Sequence, residues 1–162
     1  MPMYNRMQQS ITVKEATSKM ERYCAYQERC HKDIMNKLAT MHLIPEAKEK
    51  IILHLLEHNF LNEERFAQSF ARGKFRIKKW GKQRIIKELK FREISEYNIK
   101  TALKEISDKD YLTTFHELAE KKFDKIRESE KNKQRKKLVD YLLYRGWETH
   151  LVFEKVNELI PF

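Results

Sequence analysis

Residues 85–106 read IIKELKFREISEYNIKTALKEI, and five of their apolar residues lie at offsets of 0, 4, 9, 18 and 21 from Ile85. The same offsets recur in residues 34–55 and 138–159, so the starting positions are 51 and 53 residues apart. A repeat of this length is typical of stacked copies of one helical unit, each of which buries its apolar face against the next. The sequence therefore predicts an all-α protein whose three tandem three-helix repeats form an elongated, curved array.

Composition and helix-start signals support this organisation. Charged residues make up 36% of the 162 residues, and three Gly and three Pro leave little turn chemistry for a β fold. Pro45, Asn62 and Ser95 are good helix starts because Pro suits the first helical position and Asn and Ser suit the N-cap. Phe66, Phe70 and Ile77 mark a long helix. We expect a flexible N-terminal tail at 1–12 and repeats at 13–60, 61–107 and 108–162.

Several classes of protein are disfavoured. Cys24 and Cys30 are too few for a disulfide framework. No apolar run reaches the length of a membrane span, and the N-terminus lacks the pattern of a signal peptide. The chain also has no glycine-rich phosphate loop and no nucleophile elbow. We therefore expect a cytoplasmic protein that is not an enzyme, binds no cofactor and does not associate with membranes.

Two patterns suggest metal binding, but each has a simpler interpretation. His54, Glu57 and His58 match the H-x-x-E-H zinc signature. No third zinc ligand with a suitable sequence context is evident. The favoured interpretation is therefore that these residues form the polar face of a helix. Cys24, Cys30 and His31 form the second pattern, and their spacing is wrong for a structural zinc site. We predict no metal site.

The positive charge is concentrated in the middle repeat. The net charge of +10 divides into +2 for residues 1–60, +7 for 61–107 and +1 for 108–162. Residues 72–92 contain ten basic residues and one acid, Glu88. Spacing places Arg65, Arg72, Arg76 and Lys79 on one helical face, and Arg84 and Lys87 on the next helix.

Such a basic ridge can neutralise phosphates without reading their sequence. The alternative is a solvated helix face with no partner. A second basic run at 121–137 has nine bases and three acids, which could pair locally. Phe75, Trp80 and Phe91 interleave with the first run and could either stack on bases or pack in the core.

Several motifs resemble those of the RecX family, the bacterial regulators of the RecA recombinase. Residues 62–67, NEERFA, resemble the acidic-acidic-Arg-Phe-Ala element of that family, and residues 81–89 resemble its G-x-x-R-I-x-x-E-L element. Residues 144–147, YRGW, resemble its Arg-Arg-Gly-Phe element. The resemblance covers about residues 20–160. It departs from the family at residues 91–93, FRE, where Lys-Gly is common.

The resemblance implies a RecA inhibitor that binds in the groove of the RecA filament on single-stranded DNA. It would limit filament growth, ATPase activity, strand exchange and SOS induction, with double-stranded DNA as a further candidate partner and a monomer as the default state. Two alternatives stay open: a nucleic-acid-binding helical module without a protein target, and an adaptor for an acidic protein. The residues predicted to contact DNA or the filament are Arg65, Arg72, Lys74, Arg76, Lys79, Lys82, Arg84, Lys87, Lys133, Arg135, Lys136, Lys137 and Arg145.

Overall fold

The computed structural model describes residues 10–162, which form nine α-helices and no strand. This confirms the predicted all-α fold. None of these helices is both long enough and apolar enough to cross a membrane. In chain order the helices are α1 (Val13–Tyr26), α2 (His31–Ala39), α3 (Pro45–Glu57), α4 (Glu63–Lys78), α5 (Lys82–Phe91), α6 (Glu96–Leu103), α7 (Asp108–Lys125), α8 (Lys131–Tyr144) and α9 (Thr149–Leu159).

The predicted helix starts are found in the structure. Pro45 is the first residue of α3. The Asn62 side chain accepts a hydrogen bond from the Arg65 N–H at 2.9 Å, and the Ser95 hydroxyl accepts one from the Asn98 N–H at 3.2 Å. Each bond satisfies one of the amide groups that have no partner within the first turn of a helix.

Only part of the predicted tail at 1–12 can be compared with the structure, because residues 1–9 lie outside the described residues. Thr12 is the N-cap of α1, and its hydroxyl accepts a hydrogen bond from the Glu15 N–H at 3.1 Å. The end of the predicted tail therefore belongs to the start of the first helix.

The three copies of the apolar pattern share their buried positions. The residues at offsets 0 and 4 are fully buried in every copy, at 0% exposure: Ile34, Leu38, Ile85, Leu89, Leu138 and Leu142. Backbone conformation repeats as well, because the residue at offset 8 has a positive φ in each copy: His42 (53°), Glu93 (60°) and Gly146 (91°).

A left-handed residue after a helix allows the chain to turn back and satisfy the last carbonyl groups. The Ile94 N–H donates to the Leu89 carbonyl at 3.1 Å, and the Trp147 N–H donates to the Leu142 carbonyl at 3.2 Å. Both turns place a buried apolar residue at offset 9. The repeat in the sequence is therefore also a repeated way of ending a helix.

The chain divides into two compact units, unit 1 (residues 1–66) and unit 2 (residues 67–162), with the boundary inside α4. In unit 1, Met20 of α1 packs with Ile34, Leu38, Ile51 and Leu55 of α2 and α3. The predicted repeat boundaries at 60/61 and 107/108 are not tested by this division and stay predictions.

The core of unit 2 is rich in aromatic residues. The Trp147 ring lies 4.6 Å from that of Tyr111 and 5.1 Å from that of Phe115, and all three residues are buried. The Phe75 ring of α4 stacks on the Tyr111 ring, with 6.0 Å between the ring centres. Ile77, also on α4, is 77% exposed, so the spacing that marked it as part of the helix did not identify a core position.

Within unit 2, the first residues of α5 meet the last residues of α8. The Gly81 N–H donates to the Arg145 carbonyl at 2.8 Å, and the Gln83 N–H donates to the Gly146 carbonyl at 3.0 Å. The Lys82 N–H donates to the Tyr111 hydroxyl at 2.9 Å. Amide groups at the start of α5 thus satisfy carbonyl groups at the end of α8. The positive end of one helix dipole lies beside the negative end of the other, which is favourable. This junction fixes the positions of the basic residues on either side of it.

Candidate anion-binding surface

Unit 2 carries nearly all of the net charge. Residues 67–162 contain 24 basic and 15 acidic residues, a net charge of +9, whereas residues 1–66 contain 10 and 9, a net charge of +1. A site that attracts an acidic partner by electrostatics is therefore to be sought on unit 2.

Six cations of unit 2 surround a single pocket of about 320 Å³, which we call the α7 pocket. They come from the end of α4, from α7 and from the residue after α8. No carboxylate lines the α7 pocket. Its lining residues are Ile77, Lys78, Lys79, Leu118, Lys121, Lys122, Lys125, Tyr141 and Arg145.

The Tyr141 ring and a backbone carbonyl hold two of these cations in place. The Arg145 guanidinium lies 4.6 Å from the centre of the Tyr141 ring and donates to the Lys78 carbonyl at 2.7 Å. The Lys122 ammonium lies 4.8 Å from the centre of the same ring. Among residues 10–162, none of the six cations forms an ion pair with a carboxylate. Their charge is therefore not neutralised within the described part of the chain.

A second concave region of unit 2, which we call the α5 pocket, has a volume of about 440 Å³. In this pocket the Arg84 guanidinium lies 4.2 Å from the centre of the Trp80 ring and 4.7 Å from that of Tyr144. It also donates to the Tyr144 carbonyl at 3.2 Å. Aromatic contacts of this kind orient a guanidinium while leaving donors for a ligand. The lining residues are Gln83, Arg84, Lys87, Glu88, Leu143, Tyr144 and Gly146.

Three residues of the predicted ridge have acidic partners within their own unit. Arg65 pairs with Glu28 at 2.6 Å and donates to two backbone carbonyls of unit 1. Arg72 lies 3.4 Å from Glu105. Lys82 lies 3.8 Å from Asp108 and 4.5 Å from the centre of the Tyr111 ring. These side chains contribute to the packing of their units.

The remaining cations predicted in the middle repeat have three different settings. Lys74 lies 5.0 Å from the centre of the Trp80 ring. Arg76 and Lys87 are exposed, and no ion pair is found for either among the described residues. Lys79 lies beyond the last residue of α4 and has a φ of 57°, so helical spacing does not place it on one face with Arg76. It lines the α7 pocket instead.

The four cations predicted as a second contact all have partners close to them. Lys133 lies 3.1 Å from Glu130, Lys136 lies 2.6 Å from Asp140 and Lys137 lies 3.5 Å from Glu128. Arg135 donates to the Ile160 carbonyl and to the Asn157 side chain. For Lys133, Lys136 and Lys137, the structure shows the local pairing with acids that was the alternative considered for this run.

The α7 pocket includes cations that the sequence analysis did not single out. Lys121, Lys122 and Lys125 were counted in the second basic run, and Lys78 was counted in the first. The spacing of three and four residues places Lys121 and Lys122 beside Lys125 on α7. That spacing was visible in the sequence, but the approach of Lys78 and Arg145 to the same face depends on tertiary packing.

The aromatic residues of the first basic run have different environments. Phe75 is buried against Tyr111, so it is a core residue and does not stack on bases. Trp80 is half-buried beneath Arg84, and Phe91 is 69% exposed.

The two patterns considered for metal binding do not assemble a site. His54 Nε2 lies 3.0 Å from a carboxylate oxygen of Glu21 on α1. Cys24 and Cys30 are buried, and burial raises the pKa of Cys30 to about 11, which keeps it as a thiol. Among residues 10–162, no group of three or more His, Cys, Asp or Glu side chains is placed to hold a metal ion.

Comparison with known proteins identifies the family. The model of the second three-helix domain of RecX matches residues 62–103, and that of the third matches residues 108–156. The regulatory protein RecX of Yersinia enterocolitica is 36% identical over 116 residues, which cover 72% of this chain and 68% of that protein. RecX of Clostridioides difficile and of Clostridium perfringens are 29% and 31% identical, and the match covers 54% and 57% of their lengths. The chain therefore spans little more than half of these two relatives.

Solved structures agree with this assignment. A crystal structure of regulatory protein RecX has a TM-score of 0.77 at 25% identity, with coverage of 91% of this chain and 72% of that one. RecX from Lactobacillus salivarius has the same fold, with a TM-score of 0.76 at 22% identity and coverage of 91% and 96%. The chain therefore belongs to the RecX family of regulatory proteins, as its sequence motifs indicated.

Proposed function

We propose that this protein regulates RecA, by binding the RecA filament on single-stranded DNA and limiting its growth, ATPase activity, strand exchange and SOS induction. Membership in the RecX family supports the regulatory role. The proposed mode of binding rests on one observation: unit 2 concentrates cations that have no carboxylate partner among the described residues. The protein would act as a monomer in the cytoplasm, where RecA and DNA are found.

Phosphate groups of the filament's DNA, or acidic side chains of RecA, are the contacts that this surface suits. Arg76, Lys79, Arg84, Lys87 and Arg145 form the proposed contact set. Binding of such cations to phosphates releases counterions, so the affinity falls steeply with salt and is independent of sequence. Arg84 can present a planar pair of donors to a phosphate, because its neighbouring rings hold its orientation. Arg65 is left out because it bonds to Glu28 and to backbone carbonyls.

If this protein bound across neighbouring RecA subunits, those subunits could not rearrange freely. This single restraint would slow both filament growth and ATP hydrolysis. The alternative function is that of a nucleic-acid-binding module without a protein target, since the same cations would bind naked DNA. The two functions differ in the concentration at which the protein acts.

The test is a titration of RecA's single-stranded-DNA-dependent ATPase, with binding to naked single-stranded DNA measured in the same buffer. We expect ATPase activity to fall at concentrations well below those that coat the naked DNA. Loss of ATPase only when the DNA is saturated would reject the filament as the target and establish the alternative. A control titration at raised salt separates the electrostatic contribution, because phosphate contacts weaken with salt.

A further inference from the structure

The α7 pocket concentrates more charge than a strand of nucleic acid requires. Six cations surround about 320 Å³, whereas the phosphates of a strand each carry one negative charge and are spread along its length. A terminal phosphate carries about −1.5 to −2 at neutral pH, so it matches a converging set of cations better than a backbone phosphate does. The charge density therefore favours a compact ligand with several negative charges.

The repulsion among these cations is not relieved within the described residues. None of the six forms an ion pair with a carboxylate, in contrast to Lys133, Lys136 and Lys137 of α8, each of which has one nearby. A cleft lined by one sign of charge concentrates its counter-ions. An anion that entered the α7 pocket would gain attraction from all six cations without competing with an internal carboxylate.

Part of the pocket is organised before a ligand arrives. Arg145 is fixed by the Lys78 carbonyl and the Tyr141 ring, and the junction at Gly81 and Gly146 fixes the adjoining backbone. Fixed donors reduce the entropy that binding must overcome. Lys121 and Lys125 line the same pocket and are exposed, so their side chains can adjust to a ligand.

The uncharged lining indicates what the phosphates are attached to. Ile77, Leu118 and Tyr141 give the pocket an apolar and aromatic wall, and Ile77 is mostly exposed although it is a large apolar residue. Small-molecule sites characteristically combine such walls with a few charged groups, and their volumes begin at about 300 Å³. A wall of this kind can pack against a base or a sugar.

We propose that the α7 pocket binds a phosphate group or phosphate chain with more than one negative charge, carried by a nucleotide. A nucleoside triphosphate and a strand end with a 5′-phosphate share this chemistry. This inference goes beyond the proposed function, which requires only phosphates along a strand or acidic groups on RecA.

The test is isothermal titration calorimetry of the full chain at constant ionic strength with four probes. These are ATP, inorganic tripolyphosphate, and one short single-stranded oligonucleotide with and without a 5′-phosphate. We expect ATP and tripolyphosphate to bind, and the 5′-phosphate to tighten binding of the oligonucleotide. The variant Lys121→Gln/Lys125→Gln should weaken ATP binding about tenfold or more, because it removes two of the six cations that line the pocket.

The matched control is Lys100→Gln/Lys104→Gln, which removes one exposed lysine in α6 and one directly after it, and neither lines a pocket. Its ATP affinity should stay within about twofold of the wild type, because distant exposed charges are screened. Equal losses of ATP affinity in both variants would reject a specific site at the pocket, because general attraction to the positive charge would then explain the binding. Absence of binding by ATP and tripolyphosphate, together with no effect of the 5′-phosphate, would also overturn the proposal.

A second measurement, by NMR, tests whether the ligand binds at the α7 pocket. The Trp147 indole N–H donates to the Lys79 carbonyl at 3.2 Å, and Lys79 lines the pocket, so the NMR signal of this indole should shift when ATP binds. A variant that loses ATP binding and still inhibits RecA supports the α7 pocket as a ligand site whose Lys121 and Lys125 are not needed for filament binding. Binding of ATP with an unshifted indole signal and unchanged affinity in the pocket variant would reject it, whatever the result of the RecA assay.

Discussion

Gly81 lies directly against the backbone of Gly146, so close that a Cβ atom on Gly81 would stand 2.4 Å from the Gly146 carbonyl oxygen. Gly81 also donates its N–H to the carbonyl of the neighbouring Arg145 at 2.8 Å. This contact joins the start of α5 to the end of α8, beside Arg84 of the α5 pocket and Arg145 of the α7 pocket. The geometry of the basic surface therefore depends on two residues without side chains.

Replacement of Gly146 by alanine should strongly destabilise unit 2. Gly146 has a φ of 91°, and an added Cβ would lie 2.3 Å from the Arg84 Cβ and 2.4 Å from the Arg84 nitrogen. The left-handed conformation and the overlap together should lower the free energy of unfolding by about 3 kcal/mol. Urea unfolding measures this change, and fluorescence of Trp80 and Trp147 reports on unit 2 because it contains both tryptophans.

Gly73→Ala is the matched control. Gly73 lies within α4, and an added Cβ there would meet no atom within 4 Å. Alanine should stabilise the helix by about 0.5–1 kcal/mol, because glycine loses more backbone entropy on folding. Similar destabilisation of both variants would contradict the steric account of the junction.

Replacement of Glu93 by glycine should stabilise the protein. Glu93 occupies the equivalent left-handed position after α5, with a φ of 60°, where the third copy of the repeat has Gly146. The left-handed conformation costs a residue with a side chain about 1–2 kcal/mol, part of which the greater entropy of unfolded glycine offsets. We expect a net gain of about 0.5–1 kcal/mol in urea unfolding. Glu93→Ala keeps a Cβ and should bring no such gain; an equal gain would point to the removed charge as the cause.

Replacement of Tyr111 by phenylalanine should weaken the same junction from inside. The Tyr111 hydroxyl accepts from the Lys82 N–H and donates to the Glu148 carboxylate, whose oxygens lie at 2.8 and 2.7 Å. Phenylalanine leaves both groups without this partner, so the free energy of unfolding should fall by about 1–3 kcal/mol at pH 8. A variant as stable as the wild type would show that water replaces both bonds at no cost.

The same hydroxyl predicts a dependence on alkaline pH. Burial, followed by the hydrogen bond to Glu148, raises the pKa of Tyr111 above its ordinary value of about 10. A raised pKa in the folded state means that the stabilisation is fully present below pH 10 and is lost as the pH rises further. The difference in unfolding free energy between wild type and Tyr111→Phe should therefore narrow between pH 8 and pH values above 10. A constant difference would contradict this.

Local signals in the sequence predicted much of the fold. Asn62 and Ser95 could be recognised as caps because capping is a contact between residues three apart. The repeat offsets identified six fully buried residues for a similar reason, since helical spacing determines which residues share a face. Of the three left-handed residues at offset 8 of the repeat, two had no such signal, because His42 and Glu93 are not glycine.

The candidate site was less predictable because it depends on contacts between distant segments. Arg65 was assigned to a basic face, and nothing nearby in the sequence indicated Glu28, which lies 37 positions earlier. Lys79 was assigned by helical spacing, but α4 ends one residue before it. The α7 pocket brings Lys78 within reach of Arg145 across 67 positions, through a bond from a guanidinium to a backbone carbonyl. Residue spacing carries no information about such a bond.

The cations without partners should contribute more to DNA binding than the paired cations of α8. Arg76→Gln/Lys87→Gln removes two exposed charges for which no ion pair is found among the described residues, whereas Lys136→Gln/Lys137→Gln removes two that lie 2.6 and 3.5 Å from acids. Both variants lose the same net charge. If Arg76 and Lys87 each contact a phosphate, the slope of log K against log salt for single-stranded DNA should become shallower by about 1.4, at about 0.7 for each contact.

The α8 variant should keep a slope close to that of the wild type, because its lysines already neutralise Glu128 and Asp140. Fluorescence anisotropy of a labelled oligonucleotide at several salt concentrations gives both slopes. Equal changes in the two variants would mean that the DNA responds to total charge, and the division between paired and unpaired cations would have no role in binding. A larger change in the α8 variant would instead move the contact surface to α8, since exposed ion pairs are weak enough for a phosphate to displace the acid.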